Sequence, residues 1–519
     1  MTQLDKDRDS PTFGSFDRNH WHYKIRDFSS VIIQQAGLAL ALTYANPFEG
    51  NHYQGKEKLK EWALASVDFW SKIQLKDGSF NEYYPNEHSF PGTAFSLFSA
   101  ASICRTLGQA RPGVNQGLKK AAAYLLNKRE TQAANQEIAG IGGIFQTAAW
   151  LNDGEMRKGA QKLLDKALDQ FSPEGWCQEY GGFDLGYLSV TADQLAEIHR
   201  LTGEERLLEV LKRIVDFTKA FVTPSGTIGG QYNSRNTEYY FPFHLEYLAP
   251  YYPMAGAMAD RLYKDIDRED FFQNSFDDRY LCHYAGYSFL KAQLELERNS
   301  RLIEPWEPQE GEHLFAEAGI WIRQQKDLQI MVNLKKGGLI QIYGPNGELF
   351  ADFGYRIQDQ EGAFWVNNWL GKSYQINLEG KIKSVKGSFT KGGFLKATPT
   401  KHLGLRVLSK FFGKRLIAFL KKRMIFFEEE GPYRFERHIE VNLEGVVIRD
   451  SIQGYKPMAR LYSAEKFSLR HVASAKSFHP GDLLEIEGAI DERHLHSLRL
   501  SRCFNFQSGR TESLIEEKV

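Results

Sequence analysis

Two rhythms of apolar positions divide this chain. From about Ser30 to about residue 300 they recur at helical spacing; from about residue 311 they alternate, as strands do. The first helix, about Ser30 to Tyr44, sets Val31, Ile32, Ala36, Leu38, Ala39 and Leu42 with few polar gaps, which predicts burial on all sides. Further helices are expected near 56–74, 91–107, 115–127, 137–151, 156–171, 186–202, 204–222, 240–249, 254–264 and 279–298. Gly and Pro punctuate them at Gly108, Pro112-Gly113, Gly154, Pro173, Gly203 and Pro224.

The helical part carries a weak repeat. Asp77-Gly78-Ser79-Phe80, Pro173-Glu174-Gly175-Trp176 and Pro224-Ser225-Gly226-Thr227 each end a helix and open a polar, aromatic loop. A period of roughly fifty residues with one degenerate copy fits their spacing. It extends to polar-aromatic clusters at His22-Tyr23-Lys24 and Asp277-Asp278-Arg279-Tyr280. About six hairpins showing every second loop on one side would close an (α/α) toroid.

Trp306 to Glu312 reads as a linker. Alternation then marks strands at 319–323, 328–332, 339–343, 433–441, 445–450 and 483–487, which argues for an antiparallel sandwich. The expected fold is multidomain: an N-terminal (α/α) toroid over 1–304, expected to hold the catalytic site, and a C-terminal antiparallel β-sandwich over 305–519. Residues 401–423 interrupt the strands with a helical pattern holding eight Lys/Arg and no acid. Such a helix either lies on an anionic membrane surface or packs its apolar side on the sandwich.

Composition narrows the partners. Lys+Arg and Asp+Glu balance at 65 each, so no global field favours nucleic acid. Aromatic residues make up 13%, which suits stacking on sugar rings or large cores. Cys104, Cys177, Cys282 and Cys503 lack metal-site spacing and do not form a disulfide framework. The N-terminus lacks a signal-peptide pattern and no apolar run has membrane-span length, so a cytoplasmic location, with membrane association through 401–423, is expected.

The layout resembles the heparinase II/III-like polysaccharide lyases, a helical toroid followed by a β-sandwich. Phe315 to Arg323 looks like the family's first sandwich strand, and Asp352-Phe353-Gly354-Tyr355 like its Asp-x-Gly-Tyr turn. The family's His-rich stretch between those segments is here Leu334 to Tyr343, without His, so no metal and no cofactor is expected. Asn86 and His88 sit where the family's toroid carries an Asn and a His, although here they flank Glu87. The Tyr-rich loops sit where it carries its catalytic Tyr. The resemblance implies β-elimination on a uronate-containing glycan, with an acidic polysaccharide or oligosaccharide as partner.

Three loops carry the candidate chemistry. Elimination needs donors that neutralise the uronate carboxylate, a base for the C5 proton and an acid for the leaving oxygen. Loop 1, Gly78 to Thr93, offers Asn86 as neutraliser and His88 as base, with Glu82 and Tyr84 beside them. Loop 2, Trp176 to Tyr187, offers Trp176, Glu179, Tyr180, Asp184 and Tyr187 to sugar hydroxyls; Asp184 also reads as a helix cap. Loop 3, Gly229 to His244, offers Arg235 to grip a carboxylate. It also offers Tyr239 as acid/base, with Tyr232, Asn236, Glu238, Tyr240 and His244 around them. His22, in the N-terminal cluster, reads as structural or substrate-facing.

Two other functions fit the residues. A glycoside hydrolase would use two carboxylates from Glu82, Glu179, Asp184 and Glu238, roughly 5–9.5 Å apart. A cytoplasmic exopolysaccharide or capsule biosynthesis protein would use the same face without lyase activity.

Overall fold

The structure, a computed structural model, describes residues 1–263, 280–299, 305–308, 310–370, 373–392, 398–424, 429–464 and 495–518. The expected cluster at 277–279 and the expected strand at 483–487 lie outside these residues.

Helices buried over most of their circumference form an inner ring. These are α1 (Ala36–Ala45), α3 (Phe90–Leu107), α5 (Ala134–Leu151), α7 (Leu185–Thr202), α9 (Phe243–Leu248) and α11 (Gly286–Arg298). Each packs on the next, and α11 closes the ring on α1. Helix α3 shows why: every residue from Gly92 to Cys104 is buried, Ser89 caps its start through Gly92 N, and Gly108 at φ +61° ends it. Small residues set the spacing, since a β-carbon on Gly143 of α5 would lie 3.0 Å from Phe98 N on α3.

Amphipathic helices form the outer layer: α2 (Glu57–Lys72), α4 (Val114–Leu126), α6 (Gly154–Leu168), α8 (Arg206–Thr218) and α10 (Pro253–Tyr263). Helix α8 turns Leu207, Leu211, Ile214, Val215 and Phe217 inward, while Glu209 and Lys212 pair on its outer side. Full burial of one such side chain contributes about 1.5–3 kcal/mol.

The repeat is a physical turn. Leu75 N donates to Ser79 O, Ser172 N to Trp176 O and Thr223 N to Thr227 O, at 2.8–2.9 Å. In each case the glycine N–H then donates back to the first residue's carbonyl. A β-carbon on Gly78 would lie 2.2 Å from Lys120 O, and one on Gly175 2.2 Å from Arg213 O; both glycines have positive φ. Each turn is thus pressed against the outer helix of a neighbouring hairpin, which fixes the step around the ring.

Two antiparallel sheets follow. The first is β1 (Gly311–Phe315), β2 (Ile320–Gln325), β3 (Leu328–Asn333), β4 (Leu339–Gly344) and β5 (Gly347–Asp352), in that order. The second contains β6 (Tyr355–Asp359), β7 (Phe364–Val366), β8 (Gln375–Asn377), β9 (Ile382–Gly392), β10 (Glu430–Val441), β11 (Gly445–Ser463), β12 (Leu495–Asn505) and β13 (Thr511–Lys518). Trp321, Ile330, Val332, Ile340 and Ile342 of the first sheet face the second across the sandwich core. Its other side, Ile320, Ile322, Met331, Leu339 and Tyr343, joins the toroid core. A sheet covered on both faces needs apolar residues at successive positions, and this explains the near-continuous apolar run Ile320-Trp321-Ile322. Asp352 and Asp450 hold the buried Arg437 guanidinium at 3.0 and 2.7 Å, tying β5 to β10 and β11.

Helix α12 (Pro399–Met424) leaves the second sheet between β9 and β10, with a kink at Gly413. Before the kink its apolar side is bare: Leu403, Val407, Leu408, Phe411 and Phe412 are exposed, whereas Leu416 after the kink is buried. No helix among the described residues is long and apolar enough to cross a membrane.

Candidate active site

The loops before the inner helices meet on one face. Val31 N donates to Asn81 O, Ala134 N to Gln178 O, and Ser234 N to Phe183 O, so neighbouring loops share backbone bonds. Three buried acids continue this lacing. Glu179 accepts from Asn135 N and Nδ2, both at 2.7 Å. Asp184 caps α7 through Tyr187 N and also accepts from Arg235 N and Thr237 Oγ1. Asp193 on α7 takes His244 Nδ1 of α9 at 2.8 Å and Ser288 Oγ of α11 at 2.6 Å. Burial raises Glu179 well above, and Asp184 above, the usual carboxylate range.

Several residues expected to touch substrate are therefore committed to the scaffold. Glu179, Asp184 and His244 are buried with protein partners. Tyr240 donates to Thr218 Oγ1 at 3.0 Å, with His244 Nε2 3.2 Å from its hydroxyl. Tyr232 stacks on Phe221 and accepts from Gly229 N. Trp176 donates to Glu174, which in turn accepts from Glu317 N and Ala318 N of the sandwich. Asn236 Oδ1, Gln231 O and Asn233 O all accept from the buried Lys336 ammonium. Glu238 accepts from Gln231 Nε2 at 2.9 Å. Two of the four carboxylates proposed for a hydrolase, Glu179 and Asp184, are thus buried and fully engaged.

What the face presents is a guanidinium among phenols. Arg235 is half-buried and lies 4.5 Å from the centre of the Tyr180 ring. The Tyr180 hydroxyl accepts from Gln136 Nε2 at 2.7 Å. Tyr187, also half-buried, stands edge-on to Tyr239 at 6.4 Å. Tyr239 and Tyr284 are buried; burial first, and Tyr187 next, push both phenols well above their ordinary value. Tyr239, expected to contact substrate, thus lies behind Tyr187.

Tyr284 joins this cluster to loop 1. Its ring packs on Phe241 at 5.8 Å and on Phe95 of α3 at 5.1 Å, and Glu82 of loop 1 adds to its upward shift. Sequence reasoning did not select Tyr284. The signal was available, because the repeat extended to a cluster ending at Tyr280, four residues before it. Lys336 was also missed, since it lies in the sandwich at the end of β3.

Loop 1 holds Asn86 and His88 in left-handed conformations, at φ +58° and +53°, which non-glycine residues adopt rarely. Glu87 enforces this: its carboxylate accepts from Glu82 N and Tyr83 N at 2.7 and 2.6 Å. Burial and the nearby Glu82 raise Glu87 to about 8. His88 Nδ1 lies 2.8 Å from Ser79 Oγ and 2.9 Å from Asp77 Oδ2. This orients the ring so that Nε2 faces Gly413 of α12, where a β-carbon would sit 3.4 Å away. Ser89 donates to Glu82 at 2.9 Å. Tyr84 is buried, and its hydroxyl has no hydrogen-bond partner among the described residues. His22 is exposed against Trp21 and Tyr23.

The structure thus gathers two groups. Arg235, Tyr180, Tyr187 and Tyr239 form one; Asn86 and His88 form the other. Helices α3 and α9 lie three steps apart in the ring, which puts these groups on opposite sides of its mouth with Glu82 and Tyr284 between. Leu370, after β7, closes over Gly182 of loop 2. Among the described residues no cluster of three or more His, Cys, Asp or Glu is placed to hold a metal ion. A cavity of about 430 Å³ lined by Pro224, Arg261, Trp306 and Lys326 lies apart from these loops.

No protein-family model and no curated protein matches the chain. Solved structures do. The Streptomyces coelicolor A3 chondroitin AC lyase in complex with chondroitin sulphate matches with TM-score 0.51 and 11% identity, over 83% of this chain and 63% of that one. The fold is that of the chondroitin AC lyase. Paenibacillus xanthan lyase matches at TM-score 0.49 and 13% identity, over 89% of this chain and 45% of that one. Heparinase III matches at TM-score 0.46 and 10% identity, over 99% and 93%. The chain spans less than two thirds of the chondroitin AC lyase and less than half of the xanthan lyase. On this lyase fold, loops 1 to 3 occupy the end of the ring where the inner helices begin.

Proposed function

We propose that the chain is a polysaccharide lyase-like enzyme that cleaves or modifies a uronate-containing glycan by β-elimination on this face. One observation carries the reading: Arg235 lies over the Tyr180 ring, and the phenols of Tyr187, Tyr239 and Tyr284 continue that cluster where the inner helices begin. Carboxylate neutralisation and proton transfer are the two demands of the reaction, and guanidinium and phenol answer them. The inner-helix N-termini add a positive field suited to an acidic chain. The solved chondroitin AC lyase holds an acidic glycan on the same fold, which supports the substrate class.

In this scheme Arg235 binds the uronate carboxylate and Asn86 donates to it from across the mouth. The C5–H bond breaks, its proton passing to His88 Nε2; the C4–C5 double bond forms; the C4–O bond breaks, and Tyr187 protonates the departing oxygen. The Asp77–Ser79–His88 arrangement engages Nδ1 and leaves Nε2, beside Gly413 of α12, as the nitrogen that takes the proton. Tyr239, buried behind Tyr187, fixes the edge-on pose of that ring.

The test is incubation with a panel of uronate polymers. Near-ultraviolet absorbance from the new conjugated double bond supports the proposal. Reducing ends released without that absorbance would favour a hydrolase, and no change on any polymer would favour a non-degradative role.

A further inference from the structure

Helix α12 has one side held and one side bare. On the held side Arg406 pairs with Asp27 of the toroid at 2.8 Å, and Gly413 lies against His88. Ser409, on the same side, is buried. On the bare side Leu403, Val407 and Phe411 follow at four-residue spacing, a row about 12 Å long. Leu403 is 65% exposed and Phe411 75%. Leu408 and Phe412 widen the row and are exposed as well. Nothing among the described residues covers it.

The charge pattern says what kind of surface would. Residues 401–423 contain eight Lys/Arg and no acid. Lys401, Lys410 and Arg415 are exposed. At about 100° per residue the five apolar side chains span about 180°; Lys410 falls about 20° outside one edge, and Lys401 falls at the other edge, between Leu408 and Phe412. An exposed apolar arc with cations at its edges and no acid on the helix fits a bilayer interface, with the apolar row among the acyl chains and the long Lys side chains reaching the headgroups. Among the described residues no helix, this one included, is long and apolar enough to cross a membrane.

We propose that α12 docks the protein in the plane of an anionic phospholipid surface. The same helix touches His88 through Gly413, so docking holds the loop 1 side of the toroid mouth within about one helix diameter, roughly 10 Å, of the bilayer. The proposal does not depend on the chemistry assigned to the toroid face.

The test is co-sedimentation of the full chain with vesicles of phosphatidylcholine, with and without about one third phosphatidylglycerol. Binding to the anionic vesicles alone, weakening as salt is raised, is expected. The double variant Phe411→Asp, Phe412→Asp should lower partitioning by roughly tenfold or more. Lys401→Glu with Lys410→Glu should do the same. All four side chains are exposed, so circular dichroism and melting temperature should match those of the parent. No sedimentation with anionic vesicles, or parental binding by the Phe variant, would overturn the proposal. So would a soluble polyuronate whose binding depends equally on Phe411 and Phe412, which would assign the helix to glycan instead.

Discussion

The guanidinium of Arg235 lies over Tyr180, 4.5 Å from the ring centre, while its backbone N–H is held by the Asp184 carboxylate that caps α7. A cation is thereby fixed over Tyr180, one of the two half-exposed phenols of loop 2; Tyr187 is the other. Lysine cannot reproduce a planar, stacked fork. Arg235→Lys should therefore lose nearly as much turnover as Arg235→Ala, on the order of a hundredfold or more. Initial rates from product absorbance on the best uronate polymer check this; near-parental rates for the Lys variant would remove Arg235 from the site.

Tyr187 is half-exposed, whereas the Tyr180 hydroxyl is engaged by Gln136 and Tyr239 is buried edge-on to Tyr187. Tyr187→Phe keeps the ring and its packing but removes the proton donor. It should lower kcat by about a hundredfold to ten-thousandfold with an unchanged melting temperature. Tyr239→Phe should cost less, because its hydroxyl does not reach the face. The reverse order of effects, measured on the same polymer, would exchange the two roles.

Much of this architecture is legible in the chain. Most inner helices, α1, α3 and α5 above all, lack a polar side and the outer ones have one, so the helical half declares its two layers. The recurring Gly turns declare the step between hairpins, and the switch to alternation declares the sandwich. The division of labour within the loops is not legible. Glu179, Asp184 and His244 have the chemistry of site residues, yet they lace neighbouring helices together. A buried acid satisfied by backbone N–H groups and a substrate-facing acid are the same letter in a sequence. Tyr284 escapes notice because its importance comes from spanning two loops that are distant in sequence. The bare side of α12 is equally hidden, since its apolar pattern fits packing as well as exposure.

The turn repeat predicts a stability pattern. Gly175→Ala would drive a methyl into Arg213 O at a backbone angle that disfavours side chains. It should destabilise the chain by about 2–4 kcal/mol, and Gly78→Ala, against Lys120 O, by a similar amount. Gly203→Ala, at the C-terminal cap of α7 with open space around it, should cost only about 1 kcal/mol. Urea midpoints with unchanged slopes would check the ranking; equal effects at all three would deny the shared turn its role.

Lys336 predicts a pH dependence. Burial lowers this ammonium from 10.5 to about 7, while Asp184 acts in the other direction. Its folded-state value lies below its unfolded one, so between about 7 and 10.5 the unfolded chain binds more protons. The cost of burying the charge is full below about 7 and fades as pH rises through that window. The stability of the parent relative to Lys336→Met should therefore rise between about pH 7 and pH 10. A difference independent of pH would show that Lys336 keeps an ordinary proton affinity.

The central claim is that this face breaks a glycosidic bond by elimination rather than by adding water. The most direct measurement is mass spectrometry of oligosaccharides cleaved in heavy-oxygen water. The account predicts one unsaturated fragment in each pair, with no heavy oxygen incorporated at the cleaved bond. Saturated fragments carrying heavy oxygen at the new reducing end would contradict it.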